Sequence, residues 1–265
     1  MEKAELERRF HIAKGLVREV GQQALAYYRD RASLGVERKG LQDLVSRADR
    51  ECEDIIVGTL RGLFPDDGFL GEERGWQNPG SDTIWIVDPI DGTANFLRGI
   101  PFWCVSLGLV EDREPVAGVI YNPVTDELYS ARKGGGASLN GKSIRASGTK
   151  NLEEARIGVG FSYRRSVDLH IAAIKALLDS HCEYSRLGSG ALGMALVADG
   201  RLDGYWEAHI NIWDVAAGLC IVKEAGGWLS DFRNGNAFEQ GNEILAATQT
   251  LAGELSRLLL NRTAA

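Results

Sequence analysis

Trp85-Ile86-Val87-Asp88-Pro89-Ile90-Asp91-Gly92-Thr93 is an apolar run that ends in two acids separated by a proline and one other residue. Thr83 to Val87 reads as a buried strand, and burying it pushes the acids to its mouth. Pro89 fixes its own φ and biases Asp88 towards extended geometry, so a sharp turn is expected there, with Asp88 and Asp91 facing one point. Two carboxylates held together repel, so at neutral pH either one keeps a proton or a cation sits between them. Gly92 and Thr93 offer backbone N–H groups beside that point, and Thr93 adds a hydroxyl.

Further acids stand at the edges of neighbouring elements. Gly71-Glu72-Glu73 follows the apolar pair Phe69-Leu70, and Trp213-Asp214 opens a helix that continues as Val215-Ala216-Ala217. The donor set is carboxylate oxygen, with only four scattered histidines (His11, His170, His181, His209), which suits Mg²⁺ better than zinc. A plainer reading stands beside this one. Asp-Pro and Asp-Gly are ordinary turn formers, and an acid in the first turn of a helix is favoured by the helix dipole alone. From the residues by themselves, both readings stay open.

Working outward, apolar residues recur at helical spacing from Ala4 to Tyr28 and again from Ala48 to Leu63. Between them Leu34 to Val45 reads as an extended pair with a turn at Lys39-Gly40. Strands are expected at Thr83–Val87, Trp103–Glu111, Val116–Tyr121 and Glu127–Ser130, the last paired with the segment after Asn140-Gly141. This half reads as antiparallel. The second half alternates: strands at Ala155–Gly160, Tyr184–Leu187, Leu202–Trp206 and Ile244–Ala247, with helices at Val167–Leu178, Ser189–Ala198, Ile212–Ala225 and the C-terminus. Gly200 and Gly226-Gly227 are expected to end helices. The pattern is of the α+β and α/β type, in layers of sheet and helix.

The chain has 265 residues, enough for one large domain or for two smaller ones at 1–150 and 151–265. The first would carry most of the acids and the second Asp214. A formal charge of −7 argues against nucleic acid as partner, since backbone recognition needs clustered Lys and Arg. Phosphate remains a suitable ligand if a metal or a helix N-terminus supplies local positive charge. The four cysteines (Cys52, Cys104, Cys182, Cys220) contain no C-x-x-C pair and read as reduced thiols of a cytoplasmic protein. With no apolar run of membrane or signal length, a soluble, unprocessed chain without membrane contact is expected.

Taken together, Lys39, Asp43-Leu44-Val45, Asp49, Gly71-Glu72-Glu73, Trp85 to Thr93 with Asn95-Phe96, Trp213-Asp214 and Glu224-Ala225-Gly226-Gly227 form an ordered set spanning about Lys39 to Gly227. In this set the chain resembles the inositol monophosphatase family, within the lithium-sensitive, magnesium-dependent sugar-phosphate phosphatases. The resemblance implies a layered α-β-α-β-α sandwich with an antiparallel sheet in the N-terminal half and a mixed one in the C-terminal half. It implies that Glu72, Asp88, Asp91, Asp214 and the backbone carbonyl of Ile90 hold two or three Mg²⁺ ions. A water on the first metal would be oriented by Thr93 and Asp49 for in-line attack on phosphorus, with Glu72 beside it, while a second metal stabilises the leaving alkoxide. Glu72, Ile90, Asp91, Gly92, Thr93, Ser189, Gly190, Ala191, Glu207 and Asp214 would line the substrate site. Gly92 and Thr93 hold phosphate oxygens there, while Glu207 and the Ser189-Gly190-Ala191 turn meet the substrate's hydroxyls. A homodimer is also implied. myo-Inositol monophosphate is the first substrate choice, ahead of histidinol phosphate, fructose 1,6-bisphosphate and a 3′-phosphonucleotide. Ala48 stands before Asp49 where relatives often carry Thr, and the stretches Arg74–Asp82 and His209–Ile212 depart from the family pattern.

Two motifs point elsewhere. Gly136 to Ser143 matches a P-loop formally, but no helix comes after it, and Asn140-Gly141 is a hairpin signal. Gly188-Ser189-Gly190-Ala191-Leu192-Gly193 matches G-x-G-x-x-G, yet the strand before it is too polar for a dinucleotide fold, and a dehydrogenase would leave the acids unexplained. A helix N-terminus that meets the substrate, or tight packing through small residues, accounts for it instead. A non-catalytic regulatory partner with this fold is the rival of another class, disfavoured because the ligand positions are all filled.

Overall fold

The protein, described from a computed structural model, covers residues 1–31, 34, 36–40 and 43–260, with backbone alone at 36–40 and 43–46. Helix α1 (Lys3–Arg29) is followed by strands β1 (Val36–Gly40) and β2 (Asp43–Ser46) and helix α2 (Arg47–Leu63). Next come β3 (Gly68–Gly71), β4 (Gly75–Gln77), β5 (Thr83–Asp91), the short helix α3 (Thr93–Arg98), β6 (Cys104–Glu111), β7 (Glu114–Asn122), β8 (Glu127–Arg132), β9 (Ala137–Leu139) and β10 (Lys142–Ser143). The remainder is β11 (Arg156–Val159), α4 (Val167–Asp179), β12 (Glu183–Ser185), α5 (Gly190–Ala198), β13 (Gly204–Ile210), α6 (Ile212–Glu224), β14 (Trp228–Leu229), α7 (Ala237–Gln240), β15 (Asn242–Ala247) and α8 (Ala252–Leu259).

Alternation along β5 sets the layers. Trp85 and Val87 pack with α1 and α2, while Ile84 and Ile86 pack with α5 and α6 on the opposite face. Both faces are covered, which is why the strand reads as one apolar run. Beyond α5 and α6 lies the second sheet: Tyr205, Ile210, Ile244 and Ala246 face those helices, and Ile157, Trp206 and Leu245 face α4 and α8. The result is the layered α-β-α-β-α sandwich. Ile86 and Tyr129 from the first half share a hydrophobic cluster with Ala191 and Val215 from the second.

The first sheet runs β10-β9-β8-β7-β6-β5-β3-β4 and the second β12-β11-β13-β15-β14. The N-terminal half is antiparallel except for β3, which lies parallel to β5; the short β3 and β4 and the two-residue β14 carry too little pattern to be seen in sequence. The second sheet is mixed. Strand β8 pairs with β9, which precedes Asn140-Gly141 rather than coming after it, and the hairpin at those residues joins β9 to β10. Both turn residues have positive φ, so the P-loop match is a tight turn. Lys39 and Gly40 lie within β1, with Gly40 paired to Asp43, so the turn expected at Lys39-Gly40 is not there; residues 41–42 lie outside the described ones. The Lys39 and Asp43–Val45 side chains also lie outside the description. Among the described residues no helix is long and apolar enough to cross a membrane.

Helix α6 is seated by glycines. Gly108 and Gly118 are partners across β6 and β7, and a Cβ on Gly118 would stand 2.2 Å from the Ala217 carbonyl oxygen. A Cβ on Gly108 would stand 2.7 Å from the Ala216 Cβ. The helix therefore lies close on the sheet, with its N-terminus over the end of β5. Gly118→Ala should lower unfolding free energy in urea by about 1–3 kcal/mol, because the obstacle is backbone that cannot swing away. Gly58→Ala, in an exposed helical position with nothing within 4 Å of the added Cβ, should raise it by about 0.5–1 kcal/mol. Equal effects of the two would contradict this packing.

Candidate active site

Strand β5 does not turn at Pro89; it runs through to Asp91 with a bulge. Asp88 pairs with Ser106 and Asp91 with Cys104, so β5 advances three residues while β6 advances two. Residues three apart in a regular strand face opposite sides, and the extra residue returns Asp91 to the side of Asp88. Proline suits a bulge because the ladder asks no N–H of it there. The Ile90 N–H donates to Asp88 Oδ1 at 3.0 Å and pins that carboxylate.

Asp214 completes the group from α6. One carboxylate oxygen of each of Asp88, Asp91 and Asp214 lies within 4.8 Å of the others. Asp214 also closes a capping box with Asn211, whose N–H donates to Asp214 Oδ2 at 3.0 Å. Asp214 therefore serves the start of α6, as the plainer reading expects, and at the same time stands in the acidic group. Glu72, in the turn after β3, stands outside the group of three but hydrogen-bonds Asp88.

The Ser189-Gly190-Ala191 turn faces Asp91. Its Ala191 and Gly190 N–H groups donate to Asp91 at 2.7 and 3.3 Å, and the Ser189 hydroxyl donates to the same carboxylate. The N-terminus of α5 is thus spent on holding Asp91. Asn95 stitches the two halves beside it, donating to the Phe102 carbonyl at 2.7 Å and the Leu187 carbonyl at 2.8 Å. Gly92 has φ +93 and lies against the Gly188 and Phe102 carbonyls, so this crossing admits no side chain.

On the α2 side, the Thr93 hydroxyl lies 3.0 Å from the Ile90 carbonyl oxygen and 3.3 Å from Asp49 Oδ1, and can donate to either. Asp49 sits in the first turn of α2, fully buried, next to buried Ala48. Glu207, on β13, accepts from the Tyr205 hydroxyl at 2.6 Å.

Electrostatically the site is under load. Burial, then repulsion from Glu72, Asp91 and Asp214, pushes the Asp88 carboxyl well above the usual range. Burial raises Asp91, against the lowering effect of Ser189, Ala191 and Gly190. Asp214 is raised well above its usual value by burial and then by Asp91 and Glu207. Glu207 is pushed up to about 7, chiefly by burial. The buried Ser106 hydroxyl, opposite Asp88 in the ladder, has no hydrogen-bond partner among the described residues. An all-oxygen donor set whose members repel one another fits a hard divalent cation.

The Inositol monophosphatase family model matches residues 5–263. An inositol-1-monophosphatase of Rhizobium meliloti is 39% identical over 254 residues, covering 94% of this chain and 92% of that protein. A protein of Xylella fastidiosa named Nus factor SuhB is 40% identical over 240 residues, 90% of this chain and 87% of that one. The structure of the extragenic suppressor protein suhB from Bartonella henselae superposes with a TM-score of 0.89 at 37% identity, covering 96% of this chain and 98% of the other.

The chain belongs to the inositol monophosphatase family. Membership in this metal-dependent family supports hydrolase activity on small phosphorylated compounds, and the acidic cluster is able to hold a metal. Within this family member, sequence patterns did not single out Glu53. Its buried carboxylate accepts the Glu73 and Arg74 N–H groups, each at 2.8 Å, and so fixes the turn that carries Glu72. A signal existed: an acid four residues after Asp49 and three before Ile56 lies on the buried stripe of α2.

In the metal-free protein the three aspartates bind protons more tightly than in the unfolded chain. The resulting cost is absent below about pH 4 and grows as pH rises through the raised values. A cation competes with those protons. Mg²⁺ should therefore raise the melting temperature over that in EDTA by more at pH 8 than at pH 5, measured by scanning calorimetry. An increment independent of pH would contradict binding at this cluster.

Proposed function

We propose that the protein is a Mg²⁺-dependent phosphomonoesterase acting on a small phosphorylated alcohol, with myo-inositol monophosphate as first candidate. The observation that carries this reading is the convergence of Asp88, Asp91 and Asp214 within 4.8 Å. Those three, with Glu72 and the Ile90 carbonyl, would hold the metal. When bound, two or three such ions supply Lewis acidity towards the phosphate ester and lower the pKa of water. Asp49, Thr93 and Glu72 orient the attacking water on the α2 side, with Asp49 as acceptor of its proton. The Gly92 and Thr93 N–H groups start α3, where no intrahelical acceptor is available, and meet the phosphate oxygens. Asp91 and Asp214 face the leaving alcohol. Ser189, Gly190 and Ala191 act on it first through the Asp91 carboxylate they hold, and Glu207 accepts one of its hydroxyls.

On this reading residues 1–150 would carry most of the metal ligands and residues 151–265 Asp214 and Glu207, the two parts sharing one continuous core. A homodimer and a cytoplasmic setting belong to the same reading; the four cysteines are free and buried.

Phosphate release from inositol, histidinol, fructose and nucleotide phosphates, with Mg²⁺, with EDTA and with added Li⁺, tests the proposal. Release that needs Mg²⁺, falls with Li⁺ and favours inositol monophosphate is expected; release insensitive to EDTA would overturn it. Asp91→Asn should lower kcat more than about 100-fold, since it removes a charge at the metal itself. Its far-UV circular dichroism should match the wild type.

A further inference from the structure

Tyr205 is packed where glycines on two neighbouring elements leave room for its ring. It pairs with Gly158 across β11 and β13, so both face α5. On β11 Ile157 and Val159 point to the outer core, leaving Gly158 and the following Gly160 on the inner side. A Cβ on Gly158 would stand 2.9 Å from the Tyr205 ring, and one on Gly160 would stand 2.6 Å from its hydroxyl and 2.0 Å from Glu207 Oε2. From the other side, α5 presents Gly193, whose Cβ would stand 2.5 Å from the ring, and Gly190, at 3.4 Å from the hydroxyl. The G-x-G-x-x-G match at 188–193 thus has a structural purpose unrelated to nucleotides: Gly193 makes room for the phenol ring, while Gly190 makes room for Ile210, where a Cβ would stand 2.5 Å from its Cδ1.

The slot leads the phenol to Glu207. The ring is buried and the hydroxyl donates to Glu207 Oε2 at 2.6 Å. Phenylalanine would fill the same volume, so the hydroxyl is what the slot delivers. Burial keeps that hydroxyl protonated well above its ordinary range, so it stays a donor. Among the described residues Tyr205 is the one hydrogen-bond donor to the Glu207 side chain, which leaves Oε1 to accept from a ligand.

We propose that Tyr205 is a positioning residue that fixes the Glu207 carboxylate as acceptor for a hydroxyl of the substrate, so that the enzyme selects polyol phosphates over esters lacking that hydroxyl. The inference rests on the phosphomonoesterase reading above. A rotationally locked acceptor favours a hydroxyl in one place, whereas a loose carboxylate loses ordering entropy on each binding event.

The test compares myo-inositol 1-phosphate with p-nitrophenyl phosphate in the presence of Mg²⁺. Tyr205→Phe should lower kcat/KM for the inositol ester about tenfold, mostly through KM, the size expected when a bond to a charged group is lost. For p-nitrophenyl phosphate it should change by less than about twofold, which also shows that the variant folds. Gly193→Ala, which pushes on the ring, should give the same selective loss. Equal losses on both esters would mean a structural role only, and no loss on the inositol ester would mean no role; either overturns the assignment while the enzyme reading stands. Wild-type activity on p-nitrophenyl phosphate but on no polyol phosphate also overturns it. A wild type that hydrolyses neither ester overturns the phosphomonoesterase reading, and this assignment with it.

Discussion

Three aspartate carboxylates with oxygens within 4.8 Å of one another repel strongly in an interior that screens poorly, and the surrounding elements are built to hold them there regardless. Each is restrained by a different device. Asp88 is tied by the Ile90 N–H at the bulge, Asp91 by three donors at the start of α5, and Asp214 by its own capping box. The folded chain thereby stores an unfavourable charge arrangement that protons or a divalent cation relieve. That stored repulsion connects the fold to the chemistry.

The devices depend on close approach of backbone. Helix α6 brings Asp214 over β5 because Gly108 and Gly118 let it sink onto the sheet, and α5 reaches Asp91 because Gly92 and Gly188 let two turns pass at contact distance. Gly71 plays the same part on the other flank, where a Cβ would stand 2.2 Å from the Glu53 carboxylate that holds the Glu72 turn. Much of the glycine content near the site therefore serves packing that aims acids, rather than loop freedom. Acids held this way have little room to shift.

Substitution tolerance should run along the same lines. Positions where an added Cβ meets backbone, such as Gly118, transmit strain directly to Asp214, whereas Gly193 transmits it to Tyr205 and through it to Glu207. The halves are coupled beside the acidic cluster by Asn95, whose amide spans the Phe102 and Leu187 carbonyls.

The sequence by itself determined the element types along most of the chain, the layered class and the acids that the structure brings together, because amphipathic periodicity and acids at strand and helix ends are local signals. Asp88, Asp91 and Asp214 were all named from position alone. Only the tertiary structure decided that a bulge, not a turn, puts Asp91 beside Asp88, that β3 lies parallel to β5, and that the α5 N-terminus holds Asp91. Glu53 and the Tyr205 slot were hidden for the same reason: each depends on groups distant in sequence meeting at contact distance. Local propensity reports what a segment prefers, but which atoms a buried carboxylate touches is settled only when separate elements pack.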